Sequence, residues 1–255
     1  MQQRFDGATV LVTGAASGIG HETAVRFALE GADVLITGRS IDRLDSAIAS
    51  AADRGTRLRC LVADVKDEAQ VAAAVAEAAR PAGRLDVLFN NAGGGGQGKP
   101  LAEIDAESFD EVMATHARGI WLGMKHATPV MIRGGGGAIV NMSSMAGLVG
   151  VPVNAEYTAA MWAVIGLTKA ATMDYGGQGI RVNAVCPGAH ETEMVEATRA
   201  RFPGTEWNER VRRVYPRGRI GDPSEVAETV LFLASPAASN VYGIALPVDG
   251  GFTAQ

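Results

Sequence analysis

Short apolar runs recur along the chain, separated by longer segments whose apolar positions repeat with a helical period. The runs Ala8–Thr13, Asp33–Thr37, Leu58–Ala63, Leu85–Asn90, Ala138–Met142 and Ile180–Val185 are rich in Val, Ile and Leu and lack polar alternation. Such runs are expected of strands covered on both faces, as in a parallel sheet packed between helices. Helical spacing predicts helices over Gly18–Glu30, Ile41–Arg54, Glu68–Arg80, Ala106–Ile132, Ala155–Tyr175 and Pro223–Ala234. Asp222 followed by Pro223 marks the start of the last one, with a capping carboxylate and a proline at the first helical position. Strand and helix in alternation predict an α/β fold: a doubly wound parallel sheet of Rossmann type, forming a single domain over residues 1–255. The segment His190–Arg219 breaks the rhythm. It reads either as a substrate lid or as a pair of ordinary surface helices. The glycine runs Gly93–Gly98 and Gly134–Gly137 read as turns beside strands rather than linkers.

Composition narrows the function classes. Of 255 residues, 47% are hydrophobic and 20% charged, the balance of a soluble globular protein. A net charge of -5 argues against nucleic acid as a partner, since a phosphate backbone calls for a basic surface. The clusters Arg199/Arg201 and Arg210/Arg212/Arg213 are expected to be solvated helix faces. Cys60 and Cys186 are too few and too far apart for a disulfide framework or a zinc site, which leans toward a cytoplasmic location. Met1–Asp6 has no apolar signal core, and no uncharged apolar stretch reaches the ~18 residues of a spanning helix, so no membrane partner is expected.

Candidate chemistry starts where the first strand gives way to the first helix, at Thr13-Gly14-Ala15-Ala16-Ser17-Gly18-Ile19-Gly20. Glycines allow a tight turn and close backbone approach by a pyrophosphate, and the helix N-terminus offers unpaired N–H groups and a positive dipole end. Position and context together predict a dinucleotide site carried by Gly14, Ser17, Gly18, Ile19 and Gly20.

This turn, followed by Asn90-Asn91-Ala92-Gly93, resembles the short-chain dehydrogenase/reductase family. The resemblance extends over nearly the whole chain through Ile139-Val140-Asn141-Met142-Ser143-Ser144, Tyr157, Arg181–Gly188 and Val248-Asp249-Gly250-Gly251. It implies that Asp64 and Val65 meet the adenine ring, that Asn91, Ala92 and Gly93 line the cofactor channel, and that Pro187, Gly188 and Thr192 hold the nicotinamide end. It also implies a homotetramer. Cofactor choice is expected at Thr37-Gly38-Arg39. Gly38 offers no carboxylate for the ribose hydroxyls of NAD(H), whereas Arg39 suits the 2′-phosphate of NADP(H), which favours NADP(H). Ser17 occupies the other position often used by a base, so this preference rests on one arginine that is otherwise merely solvated.

By the same resemblance Tyr157 is the acid/base of a hydride transfer and also touches the cofactor, while Ser144, thirteen residues earlier, orients the substrate heteroatom. Two positions depart from the family pattern. The lysine usual four residues after the tyrosine is Met161, and the asparagine usual in a proton relay is His116. Lys169 is no substitute, lying twelve residues past Tyr157, about 120° round the helix. His116 reads either as a replacement relay or as a satisfied core histidine. His190, just past Pro187-Gly188, reads either as substrate-facing or as part of the lid surface.

Without a neighbouring cation, about one tyrosine in a thousand is ionised at pH 7. Alcohol oxidation, which needs a base, suffers most, and reduction, which needs an acid, suffers less. An imine that arrives as an iminium ion asks still less of the acid, and Met161 does not repel its charge. The expected function is therefore an NADPH-dependent reductase of C=N or C=O bonds with a small-molecule substrate. The alternatives are a conventional carbonyl reductase or alcohol dehydrogenase with a rewired relay, and a noncatalytic dinucleotide-binding protein. The pocket is expected from Gly94–Gln97, Ala146–Asn154 and His190–Tyr215, where Leu148, Val149, Val151, Val153 and Trp162 read either as an apolar pocket for an apolar substrate or as residues of the core or of a subunit contact.

Overall fold

Alternation within each strand decides which helices cover which face of the sheet. A computed structural model describes residues 3–199 and 205–254. Its strands are β1 (Thr9–Val12), β2 (Asp33–Gly38), β3 (Arg59–Val62), β4 (Val87–Asn90), β5 (Gly137–Met142), β6 (Ile180–Pro187) and β7 (Ala245–Val248). They pair in parallel, in the order β3-β2-β1-β4-β5-β6-β7. The helices are α1 (Gly18–Leu29), α2 (Ile41–Asp53), α3 (Glu68–Ala79), α4 (Ala106–Met113), α5 (Gly119–Arg133), α6 (Ala155–Tyr175), α7 (Glu193–Arg199), α8 (Glu206–Val214) and α9 (Pro223–Ala234).

On one face Val10, Val12, Ile36 and Val140 pack with Phe27 of α1 and Val226 and Leu231 of α9. On the other, Leu11, Leu35 and Ile139 pack with Val75 of α3, Met131 of α5 and Val164 of α6. Successive residues of one strand thus enter opposite cores, as the two-residue repeat of a pleated strand requires. The doubly wound, single-domain α/β fold expected from the strand runs is the fold observed. Strand order reverses between β1 and β4, and in such sheets the crevice beyond the carboxyl ends at that point is where ligands bind.

Three local features differ from the sequence reading. The helix expected over Ala106–Ile132 is divided into α4 and α5 by a π-helical turn at Ala114–Arg118. The wider turn puts His116 and Ala117 in the interior, and turns of this kind occur often at functional sites. β7 was not expected because its Ala-Leu-Pro-Val sequence is only half buried and carries Pro247, which is tolerated at a sheet edge. The segment 190–219 carries α7 and α8 around a small separate core of Val211, Tyr215 and Ile220. Arg210, Arg212 and Arg213 are exposed, as expected of a solvated face, and Arg199 pairs with Glu191 at 2.6 Å. Arg201 lies outside the described residues.

Candidate active site

The turn after β1 is held against the turn after β4 by side chain to backbone bonds. Thr13 Oγ1 accepts from the N–H groups of Asn91 (3.0 Å) and Ala92 (3.2 Å), and Asn91 Nδ2 donates to the carbonyls of Thr13 and Gly14. Close approach dictates two of the glycines. A Cβ at Gly14 would lie 2.5 Å from Ala92 Cα, and one at Gly20 would lie 2.4 Å from Asn91 Nδ2. Ser17 caps α1 with extended backbone and makes no side-chain cap bond, so the first-turn N–H groups remain available to an anion.

Two adjoining cavities run along the carboxyl edge of the sheet from this turn. One, about 450 Å³, is bounded by Gly14, Ser17, Arg39, Arg43, Asp64, Val65, Ala92 and Gly93. The other, about 350 Å³, is bounded by Gly18, Ile19, Gly20, Asn91, Ser144, Tyr157, Met161, Pro187, Gly188 and Thr192. Gly14, Ser17, Arg43, Gly93, Gly94 and His116 form walls of both. All the residues singled out from the sequence as cofactor-binding or catalytic therefore face one groove. A free helix N-terminus, an arginine pair at one end and a phenol at the other are the donor set that a phosphorylated dinucleotide would need.

Arg43 escaped the sequence reading. Ser40 caps α2 by accepting from Arg43 N–H, so Arg43 stands in the first turn of that helix. Its guanidinium donates to Ser17 Oγ at 3.1 Å and pairs with Glu193 of α7 at 2.5 Å. The signal was present in the helix start at Ile41, which places Arg43 one turn beyond Arg39.

Tyr157 stands in the first turn of α6, and Ser144 follows the end of β5. Burial pushes the Tyr157 phenol above its usual value, a hydrogen bond with Ser144 draws it part of the way back, and Cys186 adds a smaller upward push. None of these influences is cationic. The Cys186 thiol, itself pushed up to about 11 by burial, stays protonated at neutral pH. Lys169 donates to the Gly243 carbonyl, well away from the phenol. Met161 is fully buried in the core shared by α5 and α6 and is among the residues that bound the cavity.

His116 is 5% exposed, and its ring meets that of Tyr157 edge to face with centroids 5.3 Å apart. Nε2 lies 2.9 Å from the Gly94 carbonyl and 3.2 Å from its N–H. Burial lowers the imidazole pKa and the Gly94 contact opposes the shift, so the ring is neutral at pH 7. Its hydrogen bond goes to the glycine loop, as a satisfied core histidine would make it. His190 is also buried, with Nδ1 3.0 Å from the Gly188 carbonyl, and burial lowers its pKa too.

The expected apolar pocket residues are a correction. Leu148, Val149, Val151, Val153 and Trp162 bound neither cavity. Trp162 is 52% exposed because it follows Met161 by one position, and a step of about 100° carries it to the outer face of α6. Val153 is 51% exposed in the turn leading into α6, with a φ of 53° that is unusual for a β-branched residue. The apolar wall is made instead by Ile19, Met142, Met161 and Val195.

The three depressed histidines, His21, His116 and His190, give stability a pH dependence. Their folded values lie below the unfolded value of about 6.5, so the unfolded chain takes up more protons on acidification. The stabilisation is fully present above about pH 6.5 and is lost as the pH falls through the window below it. Melting temperature is therefore expected to drop from pH 7.5 to pH 5.5, with a shallower slope in His116→Asn. Thermal melts at the two pH values check this.

Comparison with known proteins agrees with this geometry. A family profile described as "Enoyl-(Acyl carrier protein) reductase" matches residues 14–253. The chain is 41% identical to the 2,5-dichloro-2,5-cyclohexadiene-1,4-diol dehydrogenase of Sphingobium indicum, over 98% of both chains. It is 38% identical to the levodione reductase of Leifsonia aquatica, over 98% of this chain and 96% of that one. A crystal structure of levodione reductase superposes with a TM-score of 0.93, covering 98% of this chain and 99% of the other.

Proposed function

The chain belongs to the short-chain dehydrogenase/reductase family of oxidoreductases, and on that premise we propose that it is an NADPH-dependent reductase of C=N bonds. The observation that carries this reading is a partly buried Tyr157 whose phenol is held above its usual value with no cation acting on it among the described residues. A bound nicotinamide dinucleotide supplies the hydride. Tyr157 holds its proton at neutral pH and acts as an acid toward the substrate heteroatom. Ser144, on the same cavity wall, orients that heteroatom. The reverse reaction needs phenolate, which burial disfavours.

A phenol held above its usual value is a weak acid, so a substrate that brings its own proton is favoured over one that must take it from the protein. An iminium ion is such a substrate. Met161 stands where the family's lysine is expected, so a positive charge meets an apolar wall instead of an ammonium. Ser17, Arg39 and Arg43 together bound the far end of the groove, which supports NADP(H) more strongly than Arg39 alone. Phe109 and Trp121, both 42% exposed, and Met173, 84% exposed, give the outer helices the apolar surface that a homotetramer would cover.

Carbonyl reduction is the second reading, and the relatives favour it, since a diol dehydrogenase and levodione reductase are among them. NADPH consumption with a cyclic imine and the matching cyclic ketone separates the two. Turnover of the imine supports the proposal, and turnover of the ketone alone contradicts it. Met161→Lys places an ammonium near the phenol and lowers its pKa. It is expected to raise ketone reduction more than imine reduction.

A further inference from the structure

We propose that Glu156 is a positioning residue that sets the width of the groove by pinning the glycine strap 93–97. Glu156 is fully buried, and its Oε1 accepts from the Gln97 N–H at 2.7 Å. A Cβ at Gly96 would stand 2.3 Å from that oxygen, just as one at Gly93 would stand 2.4 Å from His116 Cε1. The strap is thus pinned at two points by buried side chains that fill the space two of its side chains would need. Glycine at 93, 94, 95 and 96 leaves the backbone intrinsically free, so its position depends on these pins. Gly94, held by His116, is a wall of both cavities.

Two further observations set this contact apart from ordinary core filling. Glu156 Oε2 is buried without a hydrogen-bond partner in the protein, an arrangement that stability alone disfavours. Glu156 also immediately precedes Tyr157 in the first turn of α6, so the strap is registered directly against the phenol. Gly93 and Gly94 bound both cavities, and Gly95 bounds the one that also holds Arg39 and Asp64. Loss of the pin therefore loosens a wall that the cofactor side and the substrate side of the groove share. This rests on the groove being the reaction site, as proposed above.

Glu156→Ala and Gly96→Ala are each expected to raise substrate KM by about tenfold, the scale of one lost buried hydrogen bond, with a smaller change in kcat. NADPH affinity by fluorescence titration is expected to weaken by a smaller factor, since the strap also bounds the cofactor-side cavity while Arg39 and Asp64 there are untouched. Glu156→Gln keeps an oxygen to accept from Gln97 and is expected to restore KM. Amide hydrogen exchange across 94–98 is read in parallel and does not depend on which substrate is turned over. Exchange is expected to speed up in Glu156→Ala and return toward the original rate in Glu156→Gln. Unchanged strap exchange in folded Glu156→Ala overturns the proposal, as does equal loss in the Ala and Gln variants. Faster exchange in a protein that turns over neither an imine nor a ketone upholds the pin and removes the reductase reading instead.

Discussion

Tyr157→Phe is expected to lower the kcat for a ketone by about 10²–10⁴-fold, the usual contribution of a positioned acid. The change removes one hydroxyl and keeps the ring that meets His116 at 5.3 Å, so fold and NADPH affinity should survive. For an imine the loss depends on pH. Below the imine's own pKa the substrate arrives protonated and the phenol's proton is dispensable, so the loss is small. Above that pKa the free imine must take its proton from Tyr157, and the loss grows toward that of the ketone. Steady-state kinetics on both substrates, with NADPH binding as a control, checks the pattern. Full activity on both substrates in the variant would remove Tyr157 from the mechanism.

The second large effect concerns the cofactor. Hydrogen bonds to charged groups contribute about 1.5–3 kcal/mol, and exposure of both arginines places them at or below the lower end of that range. Arg39→Ala is expected to weaken NADPH about tenfold, Arg43→Ala by less, and the double variant by less than about 10²-fold, with NADH little changed. Arg43 already pairs with Glu193, so a 2′-phosphate competes with a carboxylate there, and the gain at Arg43 is the smaller of the two. Equilibrium titration with both cofactors reads this directly. Equal weakening of NADH and NADPH would mean that neither guanidinium meets a 2′-phosphate.

Most of the fold was legible because the five central strands are buried and therefore read as apolar runs, and the edge strand β3, though only partly buried, keeps an apolar Cys60-Leu61-Val62 run. β7 was not, because an edge strand containing Pro247 lacks that pattern. The glycine turn was legible because close approach leaves no choice of residue at Gly14 and Gly20. Arg43 was missed because its role depends on where α2 starts relative to the turn, a tertiary fact. The π-helical turn at Ala114–Arg118 was hidden for a similar reason: helical spacing cannot distinguish a continuous helix from one widened by a residue. The sequence placed His116 beside the chemistry but left its partner open. The structure supplies the partner, the Gly94 backbone. The apolar residues near Leu148 and Trp162 misled because hydrophobicity alone does not tell a pocket wall from an outer helix face.

The proposed reduction runs through a partly buried, uncharged phenol that favours a substrate already carrying its proton. NADPH oxidation with a matched cyclic imine and cyclic ketone from pH 5 to pH 9 tests it most directly. The predicted result is imine turnover above ketone turnover, highest on the acid side and falling as the pH passes the imine's own pKa. Ketone turnover with no imine turnover at any pH would contradict it.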